Sequence, residues 1–121
     1  MVEDITLKLF ILDSDNGEDI KFGMESISER LNYKLKVNLC EEDKLSNFPK
    51  DYDGYFVHLS QTSEKALISL REKQPWCKIF ITSGAIFNKD LVKFADKLYY
   101  TINPNDGENM LKEMHSIYEK K

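Results

Sequence analysis

Two carboxylates, Asp13 and Asp15, flank Ser14 directly after an apolar run from Leu7 to Leu12. At the mouth of a buried strand such a pair can hold a divalent cation, or divide nucleophile and acid/base work on a phosphate ester. The structural alternative is a polar strand-to-helix turn in which Asp15 or Asn16 caps the next helix. His58 stands near the end of a second run, Gly54 to Leu59. Its ring could accept a phosphoryl group on nitrogen, but no activating base lies near it in sequence. A hydrogen bond to a neighbour such as Asp13 is the expected state, and a histidine held beside a carboxylate is pH-sensitive. Thr82-Ser83-Gly84 closes the run Lys78 to Thr82; these small polar residues can bind an anion or simply begin a tight turn. Asn103-Pro104 follows the last run, Leu98 to Ile102, and offers no positive charge to a phosphoryl group.

These residues fall at the ends of strand-like segments at Leu7–Leu12, Lys34–Leu39, Gly54–Leu59, Lys78–Thr82 and Leu98–Ile102. Helix-like segments fill the gaps, and that alternation predicts parallel pairing through helical crossovers. Ile20, Met24, Ile27 and Leu31 make one apolar helix face. Thr62 or Ser63 caps a helix carrying Leu67 and Leu70, which Gln74-Pro75 stops. Asn88 caps a helix with Leu91, Val92 and Ala95 inward, and Asn105 or Asp106 caps the last, which buries Leu111, Met114 and Ile117 or Tyr118. Asp43 to Phe48 has room only for a short helix before Pro49. Lys34 to Leu39 alternates strictly, as a half-exposed edge strand does, while Leu9–Leu12 and Ile79–Ile81 are continuous apolar runs suited to central strands. The expected architecture is an α/β, flavodoxin-like, doubly wound five-stranded parallel sheet. Its order is 2-1-3-4-5, with helices on both faces and a crevice at the carboxyl ends of strands 1 and 3.

The chain has 121 residues and is read as a single domain over 1–121. Hydrophobic residues make up 41% and charged residues 31%, which is ordinary for a globular protein. A net charge of -4 with lysine and glutamate interleaved predicts no nucleic-acid partner. Cys40 and Cys77 are too few and too far apart for a metal knuckle and are read as reduced thiols. No metal or other cofactor is expected. No apolar stretch approaches a membrane span, so the expectation is a cytoplasmic protein without membrane contact. Trp76, directly after Pro75, is expected to pack at the bottom of the sheet.

On these residues the chain resembles response-regulator receiver domains of the CheY-like family over nearly its whole length. Asp13 stands where the family keeps its acidic metal-binding residues, with Ser14 in place of one of the usual adjacent pair and Asp15 one step on. The separation of Asp13 from His58 is close to that between acidic pair and phosphoacceptor. Thr82 matches the hydroxyl residue that senses the phosphoryl group, Tyr100 the aromatic switch residue and Pro104 the proline after the lysine of active members. His58 takes the place of the phosphoacceptor aspartate and Asn103 that of the lysine. The resemblance is therefore to a pseudo-receiver, with Asp13, Asp15, His58, Thr82 and Asn103 as a degenerate phosphorylation pocket and no catalytic residue.

The resemblance implies a two-component-like signalling domain that works by protein–protein interaction. Its partners would be a histidine kinase, an output domain or a second copy of itself. A homodimer would use the face of the fourth helix, fifth strand and fifth helix, where Tyr99 and Tyr100 alternate across the strand and one of them could anchor an interface. The chain ends soon after the last helix, so no DNA-binding output module is expected within it. Two alternatives rest on the same residues. Asp13-Ser14-Asp15 also resembles the opening of haloacid-dehalogenase-type phosphatases, with the first carboxylate as nucleophile and the second as acid/base. A flavodoxin-like small-ligand binder shares the topology, but no glycine-rich phosphate loop follows the first strand.

Overall fold

A computed structural model describes residues 5–40, 42, 45–82, 96–99 and 104–119 of the chain. The elements run β1 (Thr6–Leu12), α1 (Gly17–Arg30), β2 (Lys34–Leu39), β3 (Gly54–His58), a 3-10 turn (Leu59–Gln61), α2 (Glu64–Lys73), β4 (Lys78–Thr82), β5 (Lys97–Tyr99) and α3 (Pro104–Glu119). All four strand pairings are parallel and the sheet order is β2-β1-β3-β4-β5, as expected.

The continuous apolar runs are explained by cover on both faces. Leu7, Leu9 and Ile11 of β1 join Phe56 and Phe80 in one core, against Met24 of α1 and Met110, Leu111 and Met114 of α3. Phe10 and Leu12 point the other way and join Tyr55, Val57, Ile79 and Ile81 against Leu67 and Leu70 of α2. Side chains alternate as in any strand, but both sides are apolar. Glycine makes room where α3 packs: a Cβ at Gly54 would stand 2.7 Å from Met114 Sδ, and one at Gly107 would stand 2.6 Å from Ile27 Cδ1, so either side chain would have to shift.

Ser63 caps α2 by accepting from Ala66 N (3.1 Å), one of the two caps expected. Helix α1 ends at Arg30 with Leu31 as its C-cap, and Asn32 just beyond has a φ of 63°. That left-handed turn lets Asn32 N donate to Glu29 O and Tyr33 N to Ser28 O, a Schellman arrangement.

Four expectations need correction. The third strand ends at His58, and Leu59 opens the 3-10 turn instead. Helix α3 begins at Pro104, so Asn105 and Asp106 lie within its first turn and do not cap it. Proline suits that first position because its missing N–H would have no helical partner. Leu45 to Phe48, the described part of the short helix expected after residue 43, is a bend without helical structure. Trp76 is 46% exposed and does not pack beneath the sheet. The fourth helix, with Asn88, Leu91, Val92 and Ala95, lies outside the described residues, as do 100–102 of the fifth strand. Among the described residues no helix is long and apolar enough to cross a membrane.

Candidate functional site

Register sets the rim at the carboxyl end of the sheet. Leu12 pairs with Val57 and Val57 with Ile81. The next rank joins His58 to Thr82 and Thr82 to Tyr99, with Asp13 following Leu12 beside His58. Asp13, His58 and Thr82 are thus brought to one edge. Ser83, Tyr100 and Asn103 lie outside the described residues.

Asp13 is 5% exposed and its carboxylate is already engaged. Oδ1 accepts from Asp15 N (3.1 Å) and Asn16 N (3.0 Å), and its carbonyl accepts from Gly17 N (2.9 Å). The expected side-chain cap by Asp15 or Asn16 is not made: Asn16 holds the cap position with no side-chain hydrogen bond, and Asp13 orders the turn before the helix. An aspartate that turns back to bond amides two and three residues on forms a local loop at low entropic cost, and its charge faces the positive end of α1. Asp15 is exposed.

His58 does not bond Asp13, contrary to expectation. Its Nδ1 accepts from Ser60 N (3.3 Å) and lies 2.7 Å from Ser60 Oγ, so the imidazole caps the 3-10 turn. Gln61 then reaches back: its Oε1 accepts from Ser14 N at 2.7 Å, lacing the loop after β3 to the loop after β1. Gln61 is buried and was not singled out from the sequence. A polar residue just past the strand end was the available signal.

This bond ties together the two loops that flank the switch point between β1 and β3. On the other side of β1 lies a crevice of about 330 Å³ whose lining includes Asp13, Asp15, Glu18, Asp19 and Cys40. Its carboxylates repel an anion. Among the described residues no three histidine, cysteine, aspartate or glutamate side chains are grouped to hold a metal ion. Thr82 is buried at the rim, in the rank of His58.

A second polar network, at the amino end of the sheet, was missed. Asp53 immediately precedes β3 and is 5% exposed; its Oδ2 accepts from Lys8 N (2.8 Å) and its Oδ1 from Tyr118 Oη (2.5 Å). Asp96 immediately precedes β5; its Oδ2 accepts from Ile79 N (2.7 Å) and from the Arg71 guanidinium (2.8 Å). Burial, then the bond to Asp53 and its charge, pushes the Tyr118 phenol up to about 12. Burial likewise pushes the Tyr55 phenol up to about 12, against the opposing effect of its bond from Gln74. An aspartate directly before a strand is the shared sequence signal.

No family model and no curated protein sequence matches the chain. Solved structures with the same fold do. A CheY-like response regulator receiver domain protein from Methanospirillum hungatei JF-1 is 15% identical with a TM-score of 0.66, covering 97% of this chain and 100% of that one. A CheY-like response regulator from Mesorhizobium loti is 11% identical with a TM-score of 0.63, covering 91% and 99%. HP1043, an orphan response regulator of H. pylori, is 11% identical with a TM-score of 0.62, covering 89% and 96%. The fold is that of receiver domains.

Proposed function

We propose that the chain is a receiver-like signalling domain that acts through protein–protein contact, without aspartyl phosphorylation and without catalysis of its own. One observation carries the reading. In a receiver-type sheet the carboxyl end of β3 holds His58, whose Nδ1 is spent on Ser60, while the adjacent Asp13 is spent on two backbone amides. Acyl-phosphate formation needs a free carboxylate nucleophile at that strand end, and the rim there offers an imidazole used as a turn cap. In the proposal the lost chemistry is replaced by a permanently set conformation. A kinase, an output domain or a second copy would read it through the surface that includes β5 and α3. Asn103, in the position where active receivers carry lysine, removes the ammonium a bound phosphoryl group would need.

The test is intact-mass spectrometry after incubation with acetyl phosphate and magnesium. The mass is expected to stay unchanged, while a stable phosphoryl adduct overturns the proposal. The same sample bears on the phosphatase alternative: release of inorganic phosphate from a generic ester, lost in Asp13→Asn, would place Asp13 in catalysis.

A further inference from the structure

At the amino end of the sheet, opposite the degenerate rim, a cavity of about 230 Å³ is lined by Asp51, Asp53, Trp76, Ile117 and Tyr118. Three separated pieces of chain build it: the residues before β3, the residue pair before β4 and the last turns of α3. Its composition poses an electrostatic problem. Asp53 is 5% exposed, yet among the described residues no lysine or arginine forms an ion pair with it or with Asp51. Asp53 is held by a backbone amide and a phenol, which satisfy lone pairs without cancelling charge. Buried carboxylates are ordinarily paired with a cation, because removing an ion from water costs more than neutral hydrogen bonds return. Beside this uncompensated charge stands Trp76, 46% exposed although it is among the largest apolar side chains of the chain.

An indole is the best aromatic partner for a cation, and its attraction adds to that of a nearby carboxylate. The lining suits a weakly hydrated organic cation better than a metal ion, since magnesium or calcium needs six or more oxygen ligands or several retained waters. An anion would meet two negative charges, and a neutral apolar ligand would leave Asp53 uncompensated. We infer that this cavity binds an alkylammonium group, with the indole of Trp76 and the carboxylates of Asp51 and Asp53 as its recognition elements. The site is separate from the proposed signalling rim and does not depend on that reading.

The group could come from a free quaternary ammonium compound or from a lysine side chain, and a titration separates the two. Trp76 is the single tryptophan of the chain, so intrinsic fluorescence reports on the cavity directly. The full chain is titrated with choline, with Nα-acetyl-lysine methylamide and with 3,3-dimethylbutan-1-ol, the neutral counterpart of choline, at constant ionic strength. The expected result is a saturable change with at least one cation at an affinity about tenfold or more above that of the alcohol. The tighter cation names the source. Asp51→Asn should weaken that binding about fivefold or more. Asp51 has a φ of 72°. Asparagine also adopts that conformation, so the loop is retained. No saturable response to either cation, an equal response to the alcohol, or undiminished affinity in Asp51→Asn would each overturn the assignment.

Discussion

Asp13, His58 and Asp53 are polar groups beside strand ends, and the hydrogen bonds each already makes decide what chemistry it has left. Asp13 has given one oxygen to two amides of its own turn, and His58 has given Nδ1 to Ser60. Both are committed to shaping loops. At the other end of the sheet the phenols of Tyr55 and Tyr118 are pushed from the ordinary 10 to about 12. A phenol that keeps its proton longer when folded adds stability that is fully present below pH 10 and is lost as pH rises towards 12. A spectrophotometric titration should therefore show the phenols of Tyr55 and Tyr118 ionising late, with unfolding entering over the same range. In Tyr118→Phe one late phenol should disappear. Asp53 then loses a donor, and urea unfolding should register a loss of about 1–2 kcal/mol.

At the scale of elements, one device occurs twice. Asp53 and Asp96 each occupy the residue before a strand and pair with the neighbouring strand through backbone N–H and carboxylate together. Asp53 exchanges with Lys8 and Asp96 with Ile79, which extends each ladder by one position. The Arg71 guanidinium then clamps Asp96 while also donating to Cys77 O, so α2, β4 and β5 share a single anchor. The exit from α1 rests on Asn32 in a left-handed conformation. Asn32→Gly should be neutral or stabilising by up to about 1 kcal/mol. Asn32→Val should cost about 1–2 kcal/mol, because a β-branched residue resists that region. Urea midpoints of the two variants check this, and equal midpoints would contradict it. Periodicity revealed α1, α2 and the edge character of Lys34–Leu39, since each follows from which face meets solvent. It could not reveal where His58 would find its partner. The partner proved to be Ser60, two residues on, and a side-chain contact of that kind follows no apolar period.

For the whole molecule, the sheet separates two cores that use alternate residues of the same strands, and this is why unbroken runs such as Leu9–Leu12 are central. Strand order was legible for that reason. The tie from Asp53 to Tyr118 was not, because it spans 65 residues and follows no local period. Trp76 was misjudged on the same ground: its apolar character predicts burial, but both faces of the sheet are already filled. The two ends of the sheet then differ in kind, a laced and acidic carboxyl rim against an amino end that holds uncompensated negative charge beside an aromatic. Amide NMR spectra of the chain with and without beryllofluoride and magnesium, a mimic of the acyl phosphate, decide whether the rim takes up a phosphoryl group. The resonances of Asp13 to Asn16, His58 and Thr82 are expected to stay in place. Saturable displacement of these resonances would contradict that expectation.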